Sequence, residues 1–185
     1  PQSKSDYYFY IKSRGEIVTY KRVLENQNNC FIELQILLDK ILKLPIPNNQ
    51  EAEISEGIKN VFNCDIHIKC ILKLSSYSNK YVIDFDMLEI EEVEIVQVIK
   101  SVLDSVIKNP EITVLQFSEE NDAHSEILDY SKTIVFIPIT TNSYREVNIL
   151  LHANRYEPDS FIKDVYKIVK DIFSYRIQQR AKYKI

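Results

Sequence analysis

The chain has 185 residues, of which 45% are hydrophobic and 27% charged, a composition within the range of globular domains. Its formal net charge is −4, which argues against a dedicated nucleic-acid binder, because phosphate affinity depends on clustered Lys and Arg. The longest uncharged apolar stretch, Thr133 to Tyr144, is shorter than the roughly 20 residues that a spanning helix needs. We therefore predict no membrane span.

Glycine is scarce, with Gly15 and Gly57 the only two in the chain. Phosphate-binding loops need glycine for positive φ and for close backbone approach, so the P-loop and the dinucleotide-binding fingerprint are both absent. A G-x-S-x-G nucleophile elbow is absent as well. The sequence thus predicts a protein that is not an enzyme and holds no cofactor.

Three cysteines, Cys30, Cys64 and Cys70, form an odd set, and the chain contains no N-x-[ST] sequon. Both features favour a reducing, cytoplasmic compartment. Cys64, His67 and Cys70 have short spacings of the kind that zinc ligands use. On a strand, however, His67 points away from the side that Cys70 occupies, so we predict packed cysteines and no metal.

The first 47 residues are predicted to form an extension. Tyr7 to Ile11 and Glu16 to Val23 are rich in aromatic and β-branched residues and are separated by a turn at Gly15, which predicts a β-hairpin covering an apolar surface. A helix follows, with apolar residues recurring at three and four from Phe31 to Leu42. Pro45 and Pro47 end it and divide the extension, 1–47, from a domain over 48–185.

Beyond that boundary, helical and strand periodicities alternate in the order α-β-β-α-β-β-β-α. Helices are predicted near residues 51–62 and 88–108 and from Ser160 onward, and strands near 66–74, 81–85, 112–117, 133–139 and 146–153. Hairpin-length links make a mostly antiparallel sheet. We therefore predict an α+β fold in which the terminal helices pack on one face of the sheet.

This element order resembles that of a GAF domain, a sensory module related to PAS, over about residues 50–180. The likeness includes the helix Glu51 to Phe62 entering a strand, the proline-containing apolar strand Ile134 to Ile139, and the strand Val147 to His152 before a long final helix. The resemblance implies a regulatory domain in signal transduction that pairs through its terminal helices and binds a small molecule.

Two branches of that family carry recognisable ligand motifs. The cyclic-nucleotide branch has an Asn-Arg pair, then Phe, then Asp-Glu; here Asn154-Arg155 and Phe161 occur, but Asp164 is followed by Val165. The bilin branch has a cysteine beside a histidine, an arrangement missing from this chain. The sequence therefore predicts no specific ligand.

Four residues are candidates for ligand binding: His124, Tyr130, His152 and Arg155. We expect their pocket on the sheet face away from the terminal helices, with Arg155 contacting an anion. The alternatives are a solvated loop position for His124 and a hydrogen-bonded strand position for His152. An enzyme would need one of these histidines to meet a second reactive group.

The last helix is the predicted interface with a second copy or a partner domain. Its candidate contacts are Phe161, Val165, Ile168 and Ile172, within a band of apolar residues wider than one sheet would cover. The alternative function is a ligand-free scaffold that binds a protein partner inside a larger assembly.

Overall fold

The computed structural model describes residues 4–42, 50–74, 81–86, 99–100, 103, 106, 111–117, 132–140 and 145–182. The elements in chain order are α1 (Lys4–Leu42), α2 (Gln50–Phe62), β1 (Ile66–Leu74), β2 (Tyr81–Asp86), β3 (Thr113–Gln116), β4 (Thr133–Thr140), β5 (Arg145–His152) and α3 (Ser160–Lys182). Residues 99, 100, 103 and 106 are helical and lie between β2 and β3 in the chain. This confirms the predicted order after the proline-rich boundary.

The five strands form one sheet in the order β2-β1-β5-β4-β3, and every neighbouring pair is antiparallel. The long pairings of the central strand β5 define the register. Its residue Ile149 lies opposite Ile68 of β1 on one side and opposite Phe136 of β4 on the other. The α+β class and the antiparallel sheet are therefore confirmed.

The two faces of the sheet carry different cores, because successive side chains on a strand point in opposite directions. On one face, Val135 and Leu150 pack against α1, α2 and α3. On the other, Phe136 and Ile149 pack against Ile99, Leu103 and Val106 of the helical segment before β3. We call the first the helix-side face; the final helix lies there, as predicted.

Pro138 lies in β4, between two neighbouring strands, where a missing N–H would ordinarily cost a ladder hydrogen bond. The register explains why it is tolerated. Strand β3 pairs with β4 only as far as Thr113 opposite Phe136, so Pro138 faces β5 alone. At this point β4 is locally an edge strand, a position that accepts proline.

The predicted N-terminal hairpin is wrong, because residues 4–42 form one continuous helix. Gly15 does not adopt the positive φ that a hairpin turn would need, and an added Cβ there would meet nothing within 4 Å. Once a helix is nucleated, each further residue adds a hydrogen bond at little cost, so aromatic and β-branched residues are tolerated. The local strand propensity of residues 7–23 therefore does not decide their structure.

The second half of α1 belongs to the main core. Cys30, Leu34, Leu37 and Ile41 recur at helical spacing and are all buried against α2, α3 and the sheet. The predicted domain boundary at Pro45 and Pro47 lies outside the described residues. Among the described helices, none combines the length and apolarity that a membrane span requires.

Candidate functional site

A chain of hydrogen-bonded polar side chains lies on the helix-side face, between the sheet and α2. His67 of β1 is its centre: Nδ1 lies 2.8 Å from Ser55 Oγ, and Nε2 lies 2.9 Å from Asn148 Oδ1. Asn148 in turn donates from Nδ2 to Glu146 Oε1 over 2.8 Å. We call Ser55, His67, Asn148 and Glu146 the polar relay.

The relay determines the tautomer of His67. Because Asn148 uses its amide nitrogen to donate to Glu146, its Oδ1 is the acceptor that faces His67. Nε2 therefore carries the ring hydrogen and donates it to Asn148. Nδ1 accepts a hydrogen bond from the Ser55 hydroxyl. Burial lowers the pKa of His67 to about 4, so the imidazole is neutral at physiological pH.

An ion-pair group completes the relay at its acidic end. Lys69 Nζ lies 3.0 Å from Glu51 Oε2 and 3.8 Å from Glu146 Oε2. Only 4% of the Glu146 side chain is exposed, so its charge must be compensated within the protein. The positive charge of Lys69 also disfavours protonation of His67.

The order Ser55, His67, Asn148 resembles the nucleophile, base and orienting group of a hydrolase. The space beside it does not fit a substrate. The adjoining cavity measures about 20 Å³, which admits one water molecule; it is lined by Glu51, Ile54, Ser55, His67, Lys69, Asn148 and Phe173. The relay therefore acts in the described structure as a connection between α2 and the sheet.

A larger groove lies where α1, the end of α2 and the start of α3 meet. Its volume is about 520 Å³, within the range of small-molecule sites. Five carboxamides line it: Asn26, Gln27 and Asn29 of α1, and Asn60 and Asn63 at the end of α2. We call it the amide-lined groove.

Local hydrogen bonds hold the walls of this groove. Asn63 has a φ of 47°, the left-handed conformation common just after a helix, and the Cys64 N–H donates to Lys59 O. Asp159 caps α3 by accepting from the Ile162 N–H over 2.8 Å. Cys30 Sγ donates to Val61 O, joining α1 to α2. The groove is thus formed by anchored elements.

Tyr156 and Phe161 supply aromatic surface to the groove. The Tyr156 N–H donates to Thr133 Oγ1 over 2.8 Å, and its ring stacks on His152 with centroids 4.6 Å apart. Burial, with a smaller contribution from Asp159, raises the pKa of Tyr156 to about 12. Its hydroxyl therefore stays neutral and able to donate.

The predicted ligand residues do not form one described cluster. His124 and Tyr130 lie outside the described residues. His152 is buried and shares the parity of Leu150, so it lies on the helix-side face rather than the face where we expected a pocket. Arg155 is exposed beyond β5, and its Nη2 donates to Gln116 Oε1 over 3.4 Å.

The predicted interface residues of α3 occupy different environments. Val165 is 1% exposed and belongs to the chain's own core, while Phe161 and Ile172 are half-buried against that core. Ile168 is 41% exposed, and it is the member of this set that presents most surface to a partner.

The three cysteines are buried in different places. Cys30 and Cys64 lie in the helix-side core, whereas Cys70 packs on the opposite face. Among the described residues, no three His, Cys, Asp or Glu side chains are grouped as metal ligands would be. His67 is instead engaged by Ser55 and Asn148.

Sequence reasoning missed the polar relay, although its strand members carry a signal. His67 and Lys69 alternate with apolar residues in β1, and Glu146 and Asn148 do so in β5. Within each strand these alternate polar residues share one face, and the register between β1 and β5 brings the two sets together. The residue from α2, Ser55, had no comparable signal.

No model of a known protein family matches this chain, and no curated protein matches it. The likeness to GAF domains therefore remains a hypothesis based on element order.

Proposed function

We propose that this chain is a non-catalytic regulatory domain of GAF-like architecture that pairs with a second copy through its terminal helices. The element order supports the architecture, and the antiparallel sheet with its terminal helices on one face is compatible with it. One observation carries the proposal of pairing: an apolar row on α1 whose members are all more than half exposed in the described structure.

Ile17, Leu24 and Phe31 follow one another at intervals of seven residues along α1 and are 65%, 64% and 53% exposed. At about 1.5 Å per residue, α1 is about 58 Å long. Among the described side chains of α1, those at 14–19, 21–26, 28 and 29 are exposed, and the first buried one is Cys30. In a left-handed coiled coil, apolar residues recur at the a and d positions of each seven-residue repeat; this row supplies the a positions, while Tyr20 and Gln27 occupy d.

The charges beside this row favour a parallel second copy. With Ile17 and Leu24 at the a positions of the heptad, Glu16 occupies g and Lys21 occupies e. In a parallel pair, the g residue of one helix faces the e residue five positions on in the other. Glu16 would therefore meet Lys21 of the second copy, twice per dimer. In an antiparallel pair, g positions face g and e positions face e, so Glu16 and Lys21 would not meet each other.

Sedimentation velocity over a concentration series tests this proposal. We expect a dimer for the wild type and a dissociation constant about a hundredfold higher for Leu24→Glu, because two apolar contacts are lost per dimer. Val18→Glu is the matched control. Val18 is 66% exposed, but it lies at the b position of the heptad, outside the proposed contact line between the two helices, which we call the seam. A monomeric wild type, or equal effects of both variants, would contradict pairing through α1.

Exchanging the charges of Glu16 and Lys21 tests whether the two α1 helices pair in parallel. Glu16→Lys and Lys21→Glu should each weaken the dimer, while the double variant should restore it, since the g to e pairs are re-formed with reversed sign. Lys21 also lies 3.9 Å from Glu25 on its own helix, but such exposed pairs contribute little. Failure of the double variant to recover would argue against the parallel arrangement.

A ligand-free scaffold is the second candidate. It is favoured by the small size, about 20 Å³, of the cavity between the sheet and α2, which leaves no room for an internal ligand there. Native mass spectrometry of the purified protein separates the two functions. A dimer that carries a small bound mass supports a sensor, and a dimer without one supports the scaffold.

A further inference from the structure

The five carboxamides of the amide-lined groove are the hydrogen-bonding groups that it offers to a ligand. Asn26, Asn29, Asn60 and Asn63 are exposed and Gln27 is half-buried. Within the described residues, none of the five side chains takes part in a hydrogen bond. Each amide offers two donor hydrogens and an acceptor oxygen, so the groove presents a dense set of neutral hydrogen-bonding groups.

Charge in the groove selects against anions. Its charged lining residues are Glu33 and Asp159, both acidic, and its described lining contains no Lys or Arg. An adjoining surface pocket shares Glu33, Asn60 and Asn63 with the groove and contains Lys59, but this amine lies 2.8 Å from Glu56. A phosphate or carboxylate ligand would therefore meet like charge without a free cation to offset it.

The aromatic residues complete the set. Tyr156 and Phe161 provide apolar ring surface, and both are held in place, Tyr156 by Thr133 and Phe161 by an edge-to-face contact with Phe31 at 5.1 Å. Rings beside amide and carboxylate groups suit a ligand that has apolar C–H faces and many hydroxyls. Sugars combine these properties in one small, uncharged molecule.

We infer that the amide-lined groove binds a neutral, hydroxyl-rich small molecule of the mono- or disaccharide class. Every residue of the groove belongs to one chain, but Val23 and Gln27 lie at the g and d positions of the heptad proposed for α1, so binding must also be measured in a variant that does not pair. The groove is open to solvent and its amides exchange water for ligand, so the expected dissociation constant is of the order of 1 mM.

Side-chain amide resonances of the ¹⁵N-labelled full chain provide the test. Titration with glucose and with maltose should shift the signals of Asn26, Asn60 and Asn63 in a saturable way. Glucose 6-phosphate, which adds a charged group to the same ring, should bind about fivefold more weakly because of Glu33 and Asp159. Tighter binding of the phosphate, or shifts confined to other surfaces, would overturn the inference.

Two variants locate the site. Asn63→Gly removes a carboxamide while keeping the left-handed position that glycine favours, so it should fold and bind glucose about fivefold more weakly. Asn29→Ala should weaken binding similarly. Asn28→Ala is the control, because Asn28 lies beside Asn29 on an exposed helix surface without lining the groove. Equal affinities for Asn28→Ala, Asn29→Ala and Asn63→Gly would refute the assignment.

The same titrations are run on Leu24→Glu. Binding that persists in this variant while its dimer is lost would support the groove and the seam separately. If Leu24→Glu still dimerises like the wild type and still binds glucose saturably, only the seam is rejected. If neither the wild type nor Leu24→Glu binds glucose, only the groove is rejected.

Discussion

The Ser55 hydroxyl lies 2.8 Å from Nδ1 of His67, joining the middle of α2 to β1. In the neutral imidazole Nδ1 accepts this hydrogen bond from the hydroxyl, whereas in the protonated ring Nδ1 would carry a hydrogen and the direction of the bond would have to reverse. Beyond His67, Asn148 carries the connection to the buried Glu146. Proton binding at a single ring thus bears on how α2 is held against the sheet.

Acidification is expected to destabilise the fold through His67. Its pKa falls from 6.5 to about 4 on folding, so its contribution is complete above about pH 6.5 and is lost as the pH falls towards 4. At about pH 5, the free energy of unfolding should be lower by ~2 kcal/mol than at neutral pH. Urea unfolding at a series of pH values measures this.

His67→Gln is the control, since it cannot titrate in this range. Burial also lowers the pKa of His152, which contributes in the same direction in both proteins. The difference between the two pH profiles therefore isolates His67. Parallel profiles would mean that its protonation is not coupled to folding.

The two glycines should respond oppositely to alanine. Gly15 lies within α1 with nothing near its Cα, so Gly15→Ala should add up to about 1 kcal/mol of helix stability. At Gly57, a Cβ would lie 2.9 Å from Cδ1 of the fully buried Leu37. Overpacking there should outweigh the helix gain and cost about 1 kcal/mol.

Circular dichroism and thermal unfolding measure both glycine variants. Gly15→Ala also discriminates between helix and hairpin, because a hairpin turn with positive φ would be destabilised by alanine. A loss of stability at Gly15 would therefore argue for the hairpin that the sequence alone predicted.

The cysteines should react slowly with thiol reagents in the folded protein. Burial raises the pKa of Cys64 to about 12, and burial raises the pKa of Cys30 as well. Because the thiolate is the nucleophile, a pKa this high leaves almost none of the reactive form of Cys64 at neutral pH. Cys70 is fully buried.

Ellman's reagent with and without denaturant measures this protection. We expect three thiols to react in urea and their reaction to be limited by unfolding in buffer. Rapid reaction of one thiol in buffer would show that its core opens locally.

The limits of sequence inference are clearest in α1 and the relay. Residues 7–23 carry strand propensity and a glycine at a plausible turn, yet they continue the helix that Cys30, Leu34 and Leu37 anchor. Propensity is a local quantity of a fraction of a kcal/mol per residue, whereas burial of this helix against α2 and α3 is not visible in the local pattern.

The sequence by itself determined the α+β class, the order of strands and helices after residue 48, and the start of α3 after Asp159, because hydrophobic period and capping chemistry are local. Only the tertiary structure decided that His67 meets Asn148, 81 positions away, and that carboxamides from two helices share one groove. Such contacts depend on strand register and helix packing, which arise when distant segments bury a common core.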